Sequence, residues 1–331
     1  MKDVARVAGV SLKTVSRVVN GEGSVSAPLA AQVNDAIATL NYRLDHGAST
    51  LRRGDHRTGT IGLMVEDVAN PFFAALHRAV EDVARLHDTH VLIGSVGACP
   101  EREGELARAF ITRRADGLII VPLGPDGTSL DDELHTDTPV VFVDRPGYGI
   151  AADTVLSTNV AGAAEATRHL IRNGHTRIAC IGDRPVVPTA RQRRAGYLSA
   201  LREAGVRPDP ALIVEGVTST DAAVRAVLEL LGHDDPPTAL FTTRNTVTTG
   251  AVRALRALDR QDRVALVGFD DFPLADLLDP PVTVIAQDPV TMGRTAAQAL
   301  FRRINGDAGP PTRFAIPTRL IPRGSGELRP R

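Results

Sequence analysis

The chain has 331 residues, with 38 Lys or Arg against 39 Asp or Glu, and a formal net charge of −1 at pH 7. This length predicts two or three domains with a sizeable packed core. Cys99 and Cys180 lie far apart and fit no metal-binding pattern, so we expect neither disulfides nor a metal or other cofactor. No window approaches eighteen apolar residues, and the first residues do not resemble a signal peptide. We therefore expect a cytoplasmic protein without membrane contact.

The first fifty residues predict short helices joined by a tight turn. Val4, Ala5 and Ala8 recur at helical spacing, and Gly9 favours a helix end. Ser11 is expected to cap a second helix. The apolar side of this second helix should consist of Leu12, Val15, Val18 and Val19.

The opposite side of the second helix carries Lys13, Thr14, Ser16 and Arg17, which are donors suited to phosphates and base edges. Two helices joined in this way present the second one to the major groove of DNA. A third helix is predicted from about Ala27 to Leu40. The alternative is a generic helical hairpin with a solvated polar face.

Residues 3–20 resemble the helix-turn-helix of the LacI/GalR repressor family, whose signature is close to D-V-A-x-x-A-G-V-S-x-x-T-V-S-R-V-x-N. The resemblance implies that Leu12, Lys13 and Arg17 face base edges. It also implies residues that contact or cap near the DNA backbone, namely Ser11, Thr14, Ser16, Asn20 and Ser26. The third helix departs from the family because its start, Pro28-Leu-Ala-Ala31, supplies no phosphate-binding side chain. We therefore expect weaker non-specific DNA affinity and a shallower salt dependence than in family members that have those contacts.

The segment Tyr42–Gly54 corresponds to the family's hinge helix, which orders on the operator, pairs with its dimer mate and enters the minor groove. The resemblance places Ala48 and Leu51 at the groove-facing positions, where a leucine can unstack a base step and kink the DNA. Leu44 stands where proline is usual, and Gly47 costs about 1 kcal/mol of helix stability relative to alanine. A flexible linker is the alternative interpretation.

Charge is unevenly distributed along the chain. Residues 1–58 hold eight Lys or Arg against five Asp or Glu, a net of +3, so the remainder carries −4. A basic head on an acidic body is consistent with only the head touching nucleic acid.

Short apolar strands alternate with helices from Thr60 onward. The predicted strands are Ile61–Val65, Val91–Ile93, Leu118–Val121, Val140–Val143, Ile178–Ile181, Leu212–Val214, Ala239–Thr242 and Val264–Phe269. The predicted helices are Pro71–Leu86, Glu101–Arg114, Val160–Asn173, Arg191–Ala204, Thr220–Leu231 and Thr246–Leu258. This alternation predicts an α/β core of two doubly wound parallel-sheet subdomains with a ligand between them.

The same layout resembles the periplasmic-binding-protein-like core of the LacI/GalR family. We expect a small all-α helix-turn-helix domain at 1–45, a hinge at 46–58 and an effector-binding and dimerisation core at 59–331. Within the core, the N-subdomain should comprise about 59–156 and 286–315, and the C-subdomain about 157–285 and 316–331. Segments near Ile285–Asp288 and Phe314–Pro317 should make hinge crossovers between the subdomains.

Candidate ligand-binding residues follow predicted strands, where open α/β sheets bind ligands. Asn70, Phe72 and Phe73 follow the first strand, and Asp144 ends a later one. The resemblance implies that the aromatic pair packs on a ligand ring, although core packing at a helix start is an alternative. It further implies that Arg193 forks to ligand hydroxyls or carboxylates and that Asp270 accepts from paired hydroxyls. A surface salt bridge is the alternative for both.

Three positions depart from the family's ligand site. Thr158 replaces an acid, Arg244 replaces an asparagine, and Val217 replaces a common aromatic residue. The lost acid and the gained arginine should shift the cleft toward positive charge. A sugar acid or sugar phosphate thereby becomes more plausible, although a neutral sugar remains the first expectation.

The sequence thus predicts a nucleoid-associated repressor of carbohydrate-utilisation genes that binds double-stranded operator DNA as a homodimer and responds to a sugar-like effector. Control by an anionic ligand, a nucleoside or a protein co-regulator is the alternative. A solute-binding protein would share the core but has no use for residues 1–53. An enzyme is not expected, because the chain has no G-x-S-x-G, Walker-type or H-E-x-x-H motif.

Overall fold

The chain forms two compact units, Met1–Thr58 and Gly59–Arg331. A computed structural model describes residues 1–19, 25–41, 57–97, 99–123, 130, 134 and 138–330. Within these ranges, no helix is both long and apolar enough to cross a membrane.

The first unit contains the three predicted helices, α1 (Lys2–Val7), α2 (Leu12–Val19) and α3 (Ala27–Thr39). One apolar residue or more from each helix enters a small common core. The buried members of this core are Val4, Ala8, Val15, Val33 and Ala36. The packing of all three helices on one cluster fixes the angle at which α2 is presented.

Two local signals in this unit act as predicted, and one expectation is wrong. Gly9 adopts φ +59° after α1, a conformation that favours glycine. Ser11 caps α2, because its Oγ accepts a hydrogen bond from the Thr14 amide at 3.1 Å. Leu12 was expected on the apolar side of α2, but it is 45% exposed. Val15 supplies the fully buried contact of α2, and the partly buried Val18 and Val19 pack against the same core as expected.

The second unit is built from alternating strands and helices. Its strands are β1 (Thr60–Val65), β2 (His90–Ser95), β3 (Leu118–Ile120), β4 (Val140–Val143), β5 (Asp153–Ser157), β6 (Ile178–Ile181), β7 (Ile213–Val214), β8 (Ala239–Thr242), β9 (Ala265–Phe269), β10 (Thr283–Ala286), β11 (Arg313–Ile316) and β12 (Arg319–Ile321). Its helices are α4 (Pro71–Arg85), α5 (Pro100–Thr112), α6 (Asn159–Arg172), α7 (Pro188–Glu203), α8 (Thr220–Leu231), α9 (Asn245–Ala257) and α10 (Pro289–Ile304).

The strands form two sheets, each the centre of one subdomain. The order β11-β5-β4-β3-β1-β2 defines the first sheet, whose pairings are all parallel. The order β12-β10-β9-β8-β6-β7 defines the second, in which only β12 runs antiparallel to its neighbour. The strands predicted from short apolar runs are present, and the central ones are buried on both faces, which requires such runs.

The chain passes between the two sheets three times. The passages connect β5 to α6, β10 to α10, and β11 to β12. The segments predicted as crossovers, Ile285–Asp288 and Phe314–Pro317, lie at the second and third passages. Each subdomain is therefore assembled from separate stretches of sequence.

Helices cover the first sheet on both faces. Leu63 and Ile119 pack with α4 and α10 on one face. Met64 and Leu118 pack with Phe110 of α5 on the other. The side chains of a strand alternate between faces, so a parallel strand covered on both sides is apolar at every position.

Candidate functional site

Helix α2 carries half of the predicted DNA-binding residues. Leu12 and Lys13 are exposed, whereas Thr14, Ser16 and Arg17 are half-buried. Ser11 is exposed and caps the helix, and Ser26 is exposed at the N-cap of α3. The remaining predicted residues, Asn20, Ala48 and Leu51, lie outside the described residues.

A small cavity of about 40 Å³ lies at the carboxyl ends of both sheets. This position follows from the topology, because parallel strands end together and the loops that follow them face one another across the cleft. The lining residues are Glu66, Asn70, Phe72, Phe73, Asp144, Arg145, Asp183, Thr189, Ala190, Arg193, Thr243, Arg244, Asp270 and Gln287.

Asp144 and Asp270 occupy equivalent positions in the two subdomains. Asp144 directly follows β4 and donates its amide to the Val155 carbonyl oxygen at 2.9 Å. Asp270 directly follows β9 and donates to the Ile285 carbonyl oxygen at the same distance. Their φ angles, +67° and +72°, are in the left-handed region, which aspartate tolerates better than most residues. This backbone conformation ends each strand at the cavity with a buried carboxylate.

Arg193 of α7 is held rigidly in the cavity wall. Its Nε donates to Asn159 Oδ1 at 2.9 Å, and its Nη1 donates to the Thr243 carbonyl oxygen at 2.6 Å. Nη1 also lies 3.4 Å from Asp270 Oδ2. The guanidinium carbon is 3.9 Å from the centroid of the Phe269 ring, a cation–π contact. Arg193 is only 5% exposed, so the guanidinium reaches the cavity in one fixed orientation.

Glu66, directly after β1, is the centre of an ion-pair cluster. It accepts hydrogen bonds from Arg145 and from Arg244, the latter at 2.9 Å between Nη2 and Oε1. Arg244 also donates to Asp183, which follows β6. Burial opposes ionisation of Glu66, but the charges and hydrogen bonds of the two arginines outweigh it and lower the pKa of Glu66 to about 2.

Two sets of contacts connect the subdomains across the cavity. Glu66 belongs to the first subdomain and Arg244 to the second, so their ion pair bridges the cleft. Asn70 and Asn245 exchange side-chain amide hydrogen bonds of 2.9 and 3.3 Å from opposite sides. Together these contacts favour a closed arrangement of the two subdomains.

The cleft was expected to be shifted toward positive charge, and in the described lining the added guanidinium of Arg244 is matched by carboxylates. Four carboxylates, from Glu66, Asp144, Asp183 and Asp270, face three guanidiniums, from Arg145, Arg193 and Arg244. Arg244 is paired with two of the carboxylates, and sequence reasoning did not consider either of them. The rule that identified Asp144, a polar residue just after a buried strand, would also have identified Glu66, Arg145 and Asp183.

The aromatic pair serves in the core and in the cavity wall at once. The rings of Phe72 and Phe73 meet edge to face, with centroids 5.1 Å apart. They are only 8% and 4% exposed and belong to the core of the first subdomain, yet both line the cavity. Asn70 positions them by capping α4, since its Oδ1 accepts from the Phe72 amide at 3.0 Å.

Two predicted ligand-binding residues lie away from the cavity. Thr158 is in the first passage between the sheets, where its Oγ1 accepts a hydrogen bond from the Thr318 amide at 3.0 Å. Val217 is buried in the core of the second subdomain. Neither lines the cavity, because the loops that carry them turn toward a crossover and toward the core.

A three-helix unit with an exposed recognition helix precedes a cleft between two doubly wound subdomains. This combination defines a DNA-binding regulator that responds to a ligand. A family model described as bacterial regulatory proteins, lacI family, matches residues 1–45, and one described as a periplasmic binding protein-like domain matches residues 167–326.

Known proteins match nearly the whole chain. The HTH-type transcriptional regulator GalS of Salmonella typhimurium is 34% identical over 308 residues, covering 92% of this chain and 90% of GalS. A structure of the transcriptional regulator CelR with cellobiose is 31% identical, covers 98% of both chains and has a TM-score of 0.74. The Lac repressor dimer bound to operator and the anti-inducer ONPF is 25% identical, covers 98% of both chains and has a TM-score of 0.84. The chain belongs to the LacI family of DNA-binding transcriptional regulators, and it is not an enzyme.

Proposed function

We propose that the protein is a homodimeric repressor whose operator binding is switched by a small polyhydroxylated effector in the cavity between the subdomains. The observation that carries this proposal is the set of Asp144, Asp270 and Arg193 around the wall formed by Phe72 and Phe73. Carboxylates accept hydrogen bonds from neighbouring hydroxyls, and a fixed guanidinium donates to ring or hydroxyl oxygens. An aromatic wall covers the apolar face of a sugar ring.

The DNA-binding half of the proposal rests on α2. One recognition helix reads only a half-site, so a two-fold dimer is needed to read a near-palindromic operator. The Lac repressor structure is a dimer on its operator, which supports the same arrangement here. The protein should therefore be a dimer by light scattering at micromolar concentration and should act on DNA in the nucleoid. A monomer, with or without operator, contradicts this half of the proposal.

Lys13→Ala tests whether α2 reads bases. The operator is first recovered by selection from random duplex DNA with the full-length protein. Lys13 is exposed on α2, so its loss should weaken operator binding by about 1–3 kcal/mol and binding to random DNA by less. Lys2→Ala, which removes the same charge from exposed α1, is the matched control and should lower both affinities slightly. Equal losses on both DNAs for Lys13→Ala would mean that this side chain contacts only phosphate.

The switching half of the proposal rests on the two-subdomain cleft. An effector that contacts both walls stabilises one relative orientation of the subdomains, and it shifts DNA affinity only by its difference in affinity for the two orientations. Induction, in which the effector favours the DNA-free orientation, is the expected direction.

Asp270→Ala and Arg193→Ala should bind operator but fail to release it when effector is added, because the effector's buried polar groups lose their partners. A thermal-shift screen of sugars, sugar acids and nucleosides on the full-length protein identifies the effector first. Asp262→Ala removes an exposed carboxylate and should keep the normal response. A normal response in both cavity variants would place the effector elsewhere and would favour control by a protein co-regulator.

A further inference from the structure

The carboxylate of Asp144 has no hydrogen-bond donor in the described part of the chain. Asp144 is 5% exposed and lines the cavity. Its nearest charged neighbour is Arg145, whose Nε lies 3.4 Å from Oδ2 but makes no hydrogen bond. A buried carboxylate that accepts no hydrogen bond is energetically unfavourable, so a ligand that donates a hydrogen bond to Asp144 would be stabilised here.

Asp144 differs in this respect from the other cavity carboxylates. Its equivalent, Asp270, accepts from Gln287 Nε2 at 2.6 Å and lies 3.4 Å from Arg193. Glu66 and Asp183 both accept hydrogen bonds from arginines. The guanidiniums of the lining donate their hydrogen bonds to other groups, and Asp144 is left with a single ion pair, to Arg145, and no hydrogen bond to its carboxylate within the described residues.

The surroundings of Asp144 make its ionised form unfavourable despite the nearby arginines. Burial raises the pKa of Asp144 above its usual range, and the carboxylates of Asp270 and Glu66 add to the rise, while Arg145 and Arg193 oppose it. The site as it stands therefore disfavours the ionised carboxylate. A bound cation would restore the balance between four acids and three arginines.

We propose that the effector is a polyhydroxylated amine, such as an amino sugar, whose ammonium group binds the Asp144 carboxylate. This inference rests on the proposed function of the cavity. Hydroxyl groups alone could donate to Asp144 but would add no positive charge to a closed site in which Arg145 is shared with Glu66, whereas an ammonium group supplies donors and charge together. An anionic sugar would add to the excess negative charge and is disfavoured.

The test compares matched ligands on the full-length protein by isothermal titration calorimetry. The probes are glucosamine, galactosamine and mannosamine, each beside its parent sugar and its N-acetyl derivative, which removes the positive charge. At least one amine should bind about tenfold or more tighter than its two uncharged counterparts, since charge-assisted hydrogen bonds are about twice as strong as neutral ones.

Asp144→Asn should abolish that preference. Asparagine keeps the shape of aspartate and tolerates the same positive φ, so the change removes the charge with little strain. Asp144→Glu, which retains the charge, should keep part of the preference, and Asp262→Asn on the exposed surface should keep all of it.

Two results overturn the inference. One is that the amines bind no tighter than the uncharged sugars, and the other is that none of the nine probes binds. If neutral sugars bind and release operator, the inference fails while the proposed function stands. If Asp270→Ala weakens the binding of no ligand in the broader thermal-shift screen, the proposed function itself fails.

Discussion

Replacing Glu66 by glutamine should destabilise the second unit by an amount that depends on pH. Glu66 is paired with Arg145 and Arg244, and its side chain is 17% exposed, so solvent screens these ion pairs only weakly. Glutamine keeps the shape but removes the charge that balances two buried guanidiniums. Arg145 and Arg244 then each lose a carboxylate partner, which is unfavourable in a buried site.

The pKa of Glu66 gives the size of the effect. Lowering that pKa from its usual 4.5 to about 2 means that folding favours the ionised carboxylate by about 3 kcal/mol. The depressed pKa implies stabilisation that is fully present above pH 4.5 and is lost as the pH falls toward 2. Glu66→Gln should therefore lower the free energy of unfolding by about 3 kcal/mol at pH 7 and by about half as much at pH 3.

Urea unfolding followed by far-ultraviolet circular dichroism measures this difference, and it suits a chain with no tryptophan. The matched control is Glu203→Gln, which removes an exposed partner of Arg168 and should change stability little at either pH. The reasoning is refuted if Glu66→Gln is as stable as the native chain at pH 7, or if its deficit is the same at pH 7 and pH 3.

Three further variants test the packing described above. Tyr197→Phe removes a buried hydrogen bond of 2.8 Å to the Ile178 carbonyl oxygen and should lower the urea-unfolding free energy by about 1 kcal/mol. An unchanged free energy would mean that this bond does not contribute to stability. Gly196→Ala places a Cβ 2.2 Å from the Val160 carbonyl oxygen and should cost about 1–3 kcal/mol in the same assay, unless α6 and α7 separate freely. Ser11→Ala removes the α2 cap at a cost of about 1 kcal/mol and should speed hydrogen exchange in α2 about fivefold, whereas unchanged exchange would show that the cap contributes nothing.

The sequence predicted the strands and helices whose apolar pattern is strong and missed those that depend on distant partners. β5 begins with Asp153, an acid that a strand pattern does not favour. The structure buries this carboxylate because Arg303 of α10 donates to both of its oxygens at 2.8 Å. β10, α10 and β12 were not predicted either, since the sequence reading treated the last fifty residues mainly as crossovers.

The ligand cavity was also predicted only in part. The residues identified at strand ends, such as Asp144 and Asp270, do line one cavity. Which charges meet could not be predicted, because Glu66 and Arg244 are far apart in the chain and only the fold brings them together. The expected shift toward positive charge counted Arg244 without the carboxylates that pair with it.

The three passages between the sheets have a consequence for the order in which the protein can fold during synthesis. The first sheet begins with β1, but its last strand, β11, and its covering helix α10 come near the end of the chain. Met292 and Leu300 of α10 are fully buried against strands made much earlier. Until α10 emerges from the ribosome, those strands expose an apolar face, which invites aggregation or chaperone binding. Truncation before Pro289 should therefore leave both the first sheet and the ligand cavity unformed.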